Sequence, residues 1–386
     1  MVIKVIYLDY SATTPVEEQV LESYIKVCKN FIGNPNSLHR LGIEANELIG
    51  DATNQIASLL KVKPSEIIYT SGSSEANNTA IKGIALKYQN RGKHIITTEL
   101  EHSSVVAPLR YLTNLGFEID FVKLDEEGKV DLKHLQTLLR DDTILVTMAS
   151  VSSELGIIQP IEEIGKLLKS YPKCFFHVDM TQSIGKINLS LENVDLISFS
   201  AHKFYGMKGI GCLIKKEGIS FEPLIHGGKS TTIYRSGTPA LPLIVSLAKA
   251  LRLALVNLKE KEECVKQLNS YLREELKQIN GIHINSSDNS IPHILNFSVP
   301  GIKPETLQHA LEEKNIFIST QTACSKGGSA SAAVMAVTHN DNYAASSLRV
   351  SISHKTTKQE LSFFIDVLKE ILERLAFTNE RSEKNR

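Results

Sequence analysis

The feature that most constrains this chain is a rhythm. Short apolar runs rich in Ile, Val and Phe alternate with stretches of helical spacing. Strands are predicted over 67–71, 94–98, 119–124, 144–150, 174–179, 196–200 and 211–215. None keeps a strict in–out alternation, which is the pattern of strands covered on both faces. Helices are predicted between them over 74–88, 103–115, 132–139 and 161–169. The rhythm therefore predicts an α/β fold, with a mainly parallel seven-stranded sheet between helices. The close spacing of the last two runs breaks it, so one strand is expected to run antiparallel.

A helical stretch over 241–279, free of Pro after Pro242, is expected to leave one unit and enter another. Beyond it, strands are predicted at 294–298, 316–320 and 348–352, with helices at 305–313 and 358–375. This reads as a smaller α+β domain. The expected division is a large domain over 16–255 and a small domain made of 1–15 and 256–378. The polar residues 379–386 are expected to form a disordered tail.

With 386 residues the chain has room for two ordinary domains. Its 43 Lys and Arg balance 43 Asp and Glu. That balance argues against a chain built to coat nucleic acid or an anionic membrane. No apolar run is long enough for a membrane helix, and no signal-peptide core is read near the N-terminus. A cytoplasmic location is expected, with neither membrane nor direct nucleic-acid partners. The five cysteines are scattered, odd in number and never in a C-x-x-C pair, so neither a disulfide framework nor a metal site is expected. Cys28, Cys174, Cys212 and Cys264 lie in apolar or helical surroundings and read as small hydrophobes.

Five segments carry candidate chemistry. In Phe175-Phe176-His177-Val178-Asp179 an apolar strand ends in an acid, at the sheet edge where ligands of parallel α/β folds bind. Gln182 follows it. In Ser200-Ala201-His202-Lys203 a Lys comes directly after a strand, where desolvation makes an amine nucleophilic towards an aldehyde. Thr70-Ser71-Gly72-Ser73-Ser74 is a strand, a small-residue turn and a helix start, whose free N–H groups suit a phosphate. His102, after the strand at 94–98, is placed to face a ring or move a proton. Cys324 sits in a polar, Gly-containing stretch beside Lys326, which favours the thiolate. Each also has a plainer reading: a helix cap, a surface Lys, a chance His, an exposed Cys. Their order is what points to chemistry. A pyridine-ring aldehyde phosphate needs a phosphate site, an acid for its ring nitrogen and a Lys for its aldehyde.

In that order the segments resemble cysteine desulfurases of the NifS/IscS type, in the class V branch of fold type I pyridoxal-phosphate (PLP) enzymes. The likeness runs from Tyr7 to about Arg349. Its other landmarks are Gly33-Asn34-Pro35-Asn36, Glu101-His102, Thr181-Gln182-Ser183 and Arg235-Ser236-Gly237-Thr238. The resemblance implies that Lys203 holds PLP as a Schiff base and removes the substrate α-proton. It assigns Asp179 to the pyridine nitrogen, His102 to the ring and to proton transfer, and Gln182 to the phenolic oxygen. Ser73, Ser74, Ser200 and His202 are assigned to the phosphate. Thr238 is assigned to the phosphate of a neighbouring subunit, which implies a homodimer. Asn34 and Arg349 are assigned to the carboxylate of L-cysteine, and Cys324 to the nucleophile that becomes a persulfide. The sulfur then passes to a protein acceptor, for iron–sulfur cluster assembly or tRNA thiolation.

Two segments depart from the family pattern. Ser152-Ser153-Glu154 stands where Asn-Asn-Glu is usual, so Ser153 replaces an amide that reaches the phenolic oxygen. His226-Gly227-Gly228-Lys229-Ser230-Thr231 lacks a third Gly and the usual acid. Two alternatives therefore stand beside the desulfurase reading: a lyase for another cysteine-like substrate, and a degenerate paralogue serving as a sulfur relay or scaffold partner.

Overall fold

A computed structural model describes residues 5–188, 190–320 and 330–384. The chain opens with β1 (Ile6–Tyr7), α1 (Glu18–Asn30) and α2 (Arg40–Leu60). Then come β2 (Ile67–Thr70), α3 (Ser73–Tyr88), β3 (His94–Thr97), α4 (Ser103–Thr113), β4 (Glu118–Phe121) and α5 (Leu132–Leu138). They are followed by β5 (Thr143–Ala149), α6 (Ile161–Leu168), β6 (Phe175–Asp179), β7 (Leu196–Ser200) and β8 (Gly211–Lys215).

Strands β2 to β8 form one seven-stranded sheet in the order β2-β8-β7-β6-β5-β3-β4. All its pairings are parallel except those of β8, which is antiparallel to both β2 and β7. The expected antiparallel strand is thus β8. Neighbouring residues of one strand serve opposite cores. Ile197 and Phe199 of β7 pack with α1, α2 and α7 (Leu241–Leu255), whereas Leu196 packs with α3 and α4. Burial on both faces is why these strands read as continuous apolar runs. The polar members are satisfied internally: His177 bridges Thr147 and Ser198 across three strands, at 2.8 Å on each side.

The predicted single helical stretch over 241–279 is two helices, α7 and α8 (Leu258–Lys277), bent by 67°. Asn257 takes a left-handed conformation at the break (φ 54°), which Asn tolerates better than most residues. The break separates two cores. Leu247 and Leu251 of α7 belong to the core of the large sheet, while Val265 and Leu272 of α8 belong to a second core. That second core gathers β9 (His283–Ile284), β10 (Ile294–Ser298), α9 (Pro304–Glu312) and β11 (Ile316–Phe317). After α10 (Ala332–Thr338) and α11 (Asp341–Ala345), it is completed by β12 (Ser347–Ser351) and α12 (Lys358–Lys384). The last helix is longer than predicted and carries helical backbone through most of the polar segment expected to be a tail.

Strands β12-β10-β9 make an antiparallel sheet, and β1 pairs in parallel with β11. Ile6 and Leu8 therefore pack with α8, α9 and α12, far from their sequence neighbours in α1. Of the cysteines read as small hydrophobes, Cys174 and Cys212 are buried, but Cys28 and Cys264 are exposed on helix surfaces. Among the described residues no single helix is long and apolar enough to cross a membrane.

Candidate active site

The carboxyl ends of β2, β3, β5, β6 and β7 open into one cavity of about 500 Å³. Its size falls within the range of small-molecule and cofactor sites. Each strand end delivers candidate residues to it: Ser73 and Ser74 after β2, His102 after β3, Ser153 after β5. Asp179 and Gln182 come from β6 and its turn, and Ser200, His202 and Lys203 from β7. Arg349 enters from β12, and Ser11, Ala12 and Thr13 close the wall from the N-terminal segment.

Asp179 is the last residue of β6 and is buried. Its Oδ2 accepts from Asn77 Nδ2 at 2.7 Å, and its Oδ1 from the Thr181 backbone at 2.9 Å. Asn77 also donates to Ser104 Oγ at 2.9 Å, and Ser104 Oγ lies 2.8 Å from His102 Nδ1. Burial holds the His102 imidazole below its usual pKa, reinforced by Lys203 and Arg349 and opposed by Asp179.

Lys203 Nζ donates to the carbonyls of Ser11 (2.7 Å) and Ala12 (2.9 Å). Gln182 Nε2 donates to the same Ser11 carbonyl at 2.9 Å, and Gln182 Oε1 accepts from buried Lys186 at 2.7 Å. Burial, with Lys203 and Arg349 adding repulsion, lowers Lys186 to about 7. His202 is pushed down to about 4 by burial and then by Lys203, Lys208 and Lys186. Its Nδ1 lies 3.1 Å from Thr13 Oγ1.

At the other end, Ser200 Oγ accepts from the Ser73 backbone N–H at 2.6 Å and donates to Ser73 Oγ at 3.0 Å. This joins the end of β7 to the first turn of α3. The close approach needs glycine: a Cβ on Gly211 would sit 2.6 Å from Gly72 Cα. The α3 N-terminus, with its free N–H groups and dipole, thus faces the cavity beside two hydroxyls.

Arg349 is almost wholly buried and bridges two segments, donating to the Ser153 carbonyl and to Asp9 Oδ1, each at 2.9 Å. Its Nε is buried with no hydrogen-bond partner among the described residues. Burial raises the Asp9 carboxyl, and Arg349 opposes that rise.

Two assigned residues lie apart from this cavity. Asn34 is exposed, its Oδ1 capping the Asn36 backbone at 2.9 Å, and Thr238 is exposed as well. Cys324 lies outside the described residues. Sequence reasoning gave no role to Asn77, Ser104, Asp9 or Lys186. Lys186 had a signal, since it stands four residues after Gln182. Ser104 had one too, standing two residues after His102, whereas Asn77 and Asp9 are placed by contacts that span 27 to 340 positions of sequence, which no local pattern carries.

A strand-edge cavity holding Lys, Asp, His and a helix-start anion site defines a class. The chain belongs to the class V aminotransferase family, whose model it matches over residues 6–364. Within that family it is 39% identical, over 375 residues, to a cysteine desulfurase IscS of Dictyoglomus turgidum, covering 96% of this chain and 95% of that one. A solved NifS-like protein superposes with a TM-score of 0.90 at 37% identity, covering 96% of this chain and all of that one. SspA, solved in complex with cysteine, gives a TM-score of 0.80 at 31% identity over 91% of this chain and 99% of its own.

Proposed function

We propose that this chain is a PLP-dependent cysteine desulfurase, which converts L-cysteine to L-alanine and passes the sulfur on through Cys324. The observation that carries the reading is the single cavity that gathers Lys203, Asp179, His102, Gln182 and the α3 N-terminus. Its residues fit the cofactor. Ser11 Oγ, Thr181 Oγ1 and Arg349 Nε line the cavity or its wall as buried polar atoms without partners among the described residues. Such atoms are costly unless a bound group satisfies them. Ser73, Ser74, Ser200 and His202 would hold the phosphate, Asp179 the ring nitrogen and Lys203 the aldehyde. When bound, PLP supplies an electrophilic carbon for the substrate amine and a ring that takes up an electron pair.

The protein's own residues then divide the remaining work. Arg349 orients the substrate carboxylate, its planar fork already fixed by Asp9 and the Ser153 carbonyl. Lys203 Nζ takes the α-proton of cysteine. The Cys324 thiolate attacks the substrate sulfur, an S–S bond forms as the C–S bond breaks, and the carbon takes a proton to give alanine. The balance is L-cysteine plus the Cys324 thiol to L-alanine plus a Cys324 persulfide. A sulfur-accepting protein and a second copy of this chain, whose phosphate Thr238 would reach, complete the proposed assembly. The acceptor would serve iron–sulfur cluster assembly or tRNA thiolation, and the location proposed is the cytoplasm.

The test is incubation with PLP, L-cysteine and a thiol reductant, measuring alanine and sulfide, with Cys324→Ser alongside. Both products should form and should collapse in the variant. A PLP-loaded wild type that yields no alanine would overturn the reading.

A further inference from the structure

We propose that Ser104 is a positioning residue that holds His102 in the neutral tautomer with its proton on Nε2. His102 then serves the site as a hydrogen-bond donor and not as a base. The functional half of this inference rests on the desulfurase reading. The tautomer does not.

Asp179, as a carboxylate, only accepts, so the atom 2.7 Å from its Oδ2 must be the Asn77 nitrogen. The reversed amide would set oxygen against oxygen. Asn77 Nδ2 has two hydrogens. One goes to Asp179, and the second goes to Ser104 Oγ at 2.9 Å. Ser104 Oγ is therefore an acceptor from Asn77, which leaves its own hydrogen for His102 Nδ1 at 2.8 Å.

A second donor converges on the same nitrogen. His102 is the N-cap of α4, and its Nδ1 accepts the Ser104 backbone N–H at 3.1 Å. With two donors aimed at it, Nδ1 is the unprotonated nitrogen. A proton there would break the cap and face one N–H with another. The neutral ring must then carry its hydrogen on Nε2. Asn77 is fully buried and Ser104 and Asp179 nearly so, so water does not compete for this chain. Among the described residues the charged groups that face the ring are Asp179, Lys203 and Arg349, and burial with the two cations outweighs the one anion, which favours the neutral form.

The consequence for the reaction is a division of labour. Nδ1 is turned away and occupied, and Nε2 already holds a proton. Neither nitrogen is free to take a proton from the substrate, which leaves Lys203 Nζ as the site's base.

The test uses the full chain with 15N-labelled histidine, before and after PLP is added. Long-range proton–nitrogen correlation reads the protonation of each ring nitrogen, and His102→Gln identifies the signals. The expected result is an unprotonated Nδ1 and a protonated Nε2 on His102. Ser104→Ala should raise the His102 pKa by about half to one unit, the size of one net hydrogen bond, and Ser104→Thr should restore it. A protonated Nδ1 in the wild type, or Ala and Thr variants that titrate alike, would overturn the proposal. The spectrum without PLP involves no turnover, so failure of the desulfurase reading would leave this result standing.

Discussion

Lys186 places its ammonium nitrogen 2.7 Å from Gln182 Oε1, inside the protein, and so dictates which end of the amide faces which neighbour. As an ammonium Lys186 only donates, so Oε1 is the end turned to it. The Nε2 end is left to the Ser11 carbonyl, with one hydrogen to spare for a cofactor oxygen.

A buried Lys lowered to about 7 also has a thermodynamic signature. The unfolded chain keeps the Lys186 proton up to about pH 10.4, whereas the folded chain releases it near 7. Between those values the unfolded state binds more protons, so stability rises with pH. Thermal midpoints of the wild type should therefore gain on those of Lys186→Met as pH climbs through this window. Parallel curves would contradict the assignment.

Glu101 predicts the opposite slope. Burial, with Asp179 adding, raises its carboxyl from 4.5 to about 8. The folded state then holds a proton that the unfolded state has lost. This contribution is complete below 4.5 and disappears as pH rises through about 8. Glu101→Gln keeps an oxygen for the Ala149 and Thr98 donors. The variant should be more stable than the wild type at alkaline pH and show a flatter dependence on pH.

Arg349→Lys keeps the charge and removes the fork. A charge-assisted hydrogen bond contributes about 1.5–3 kcal/mol, so KM for L-cysteine should rise roughly 10- to 100-fold. The fall in kcat should be smaller. An unchanged KM would remove Arg349 from substrate binding.

Lys203→Ala should lower alanine production about 10²- to 10⁴-fold, the usual share of a positioned proton-transfer group. PLP should also dialyse away from the variant, because its covalent anchor is gone. Retained colour together with activity within tenfold of wild type would assign the anchor elsewhere.

Ser153→Asn restores the longer amide usual in the family. One added net hydrogen bond of about 0.5–1.5 kcal/mol should tighten PLP binding roughly 2- to 10-fold, read by fluorescence titration. Weaker binding would mean that the local backbone, whose Ser153 carbonyl holds Arg349, has no room for the amide.

The large sheet was legible in the sequence because its strands are buried on both faces and end in punctuation: Asp179 closes β6, and Lys203 follows β7 by three residues. The break at Asn257 was not legible. The residues on both sides have helical spacing, and the bend is set by two separate cores pulling on one stretch. β1 and β11, two residues each, were too short to announce themselves as strands, although the second was read as part of a longer one. In the site, residues that meet a ligand were readable from strand ends. Residues that hold those in place were not, because Asn77 reaches Asp179 across 102 positions and Asp9 reaches Arg349 across 340.

That last span has a temporal meaning. A ribosome delivers the chain from its N-terminus, and the large sheet can close once β8 is out. The segment carrying Asp9 and Ser11 has no strand partner until β11 arrives and no guanidinium until β12 does. Through most of synthesis the cavity therefore lacks the Arg349 side of its lining. A nascent chain stalled before Arg349 would carry every residue proposed to hold PLP and yet lack the guanidinium proposed for the substrate carboxylate, so competence to bind L-cysteine is acquired near the end of translation.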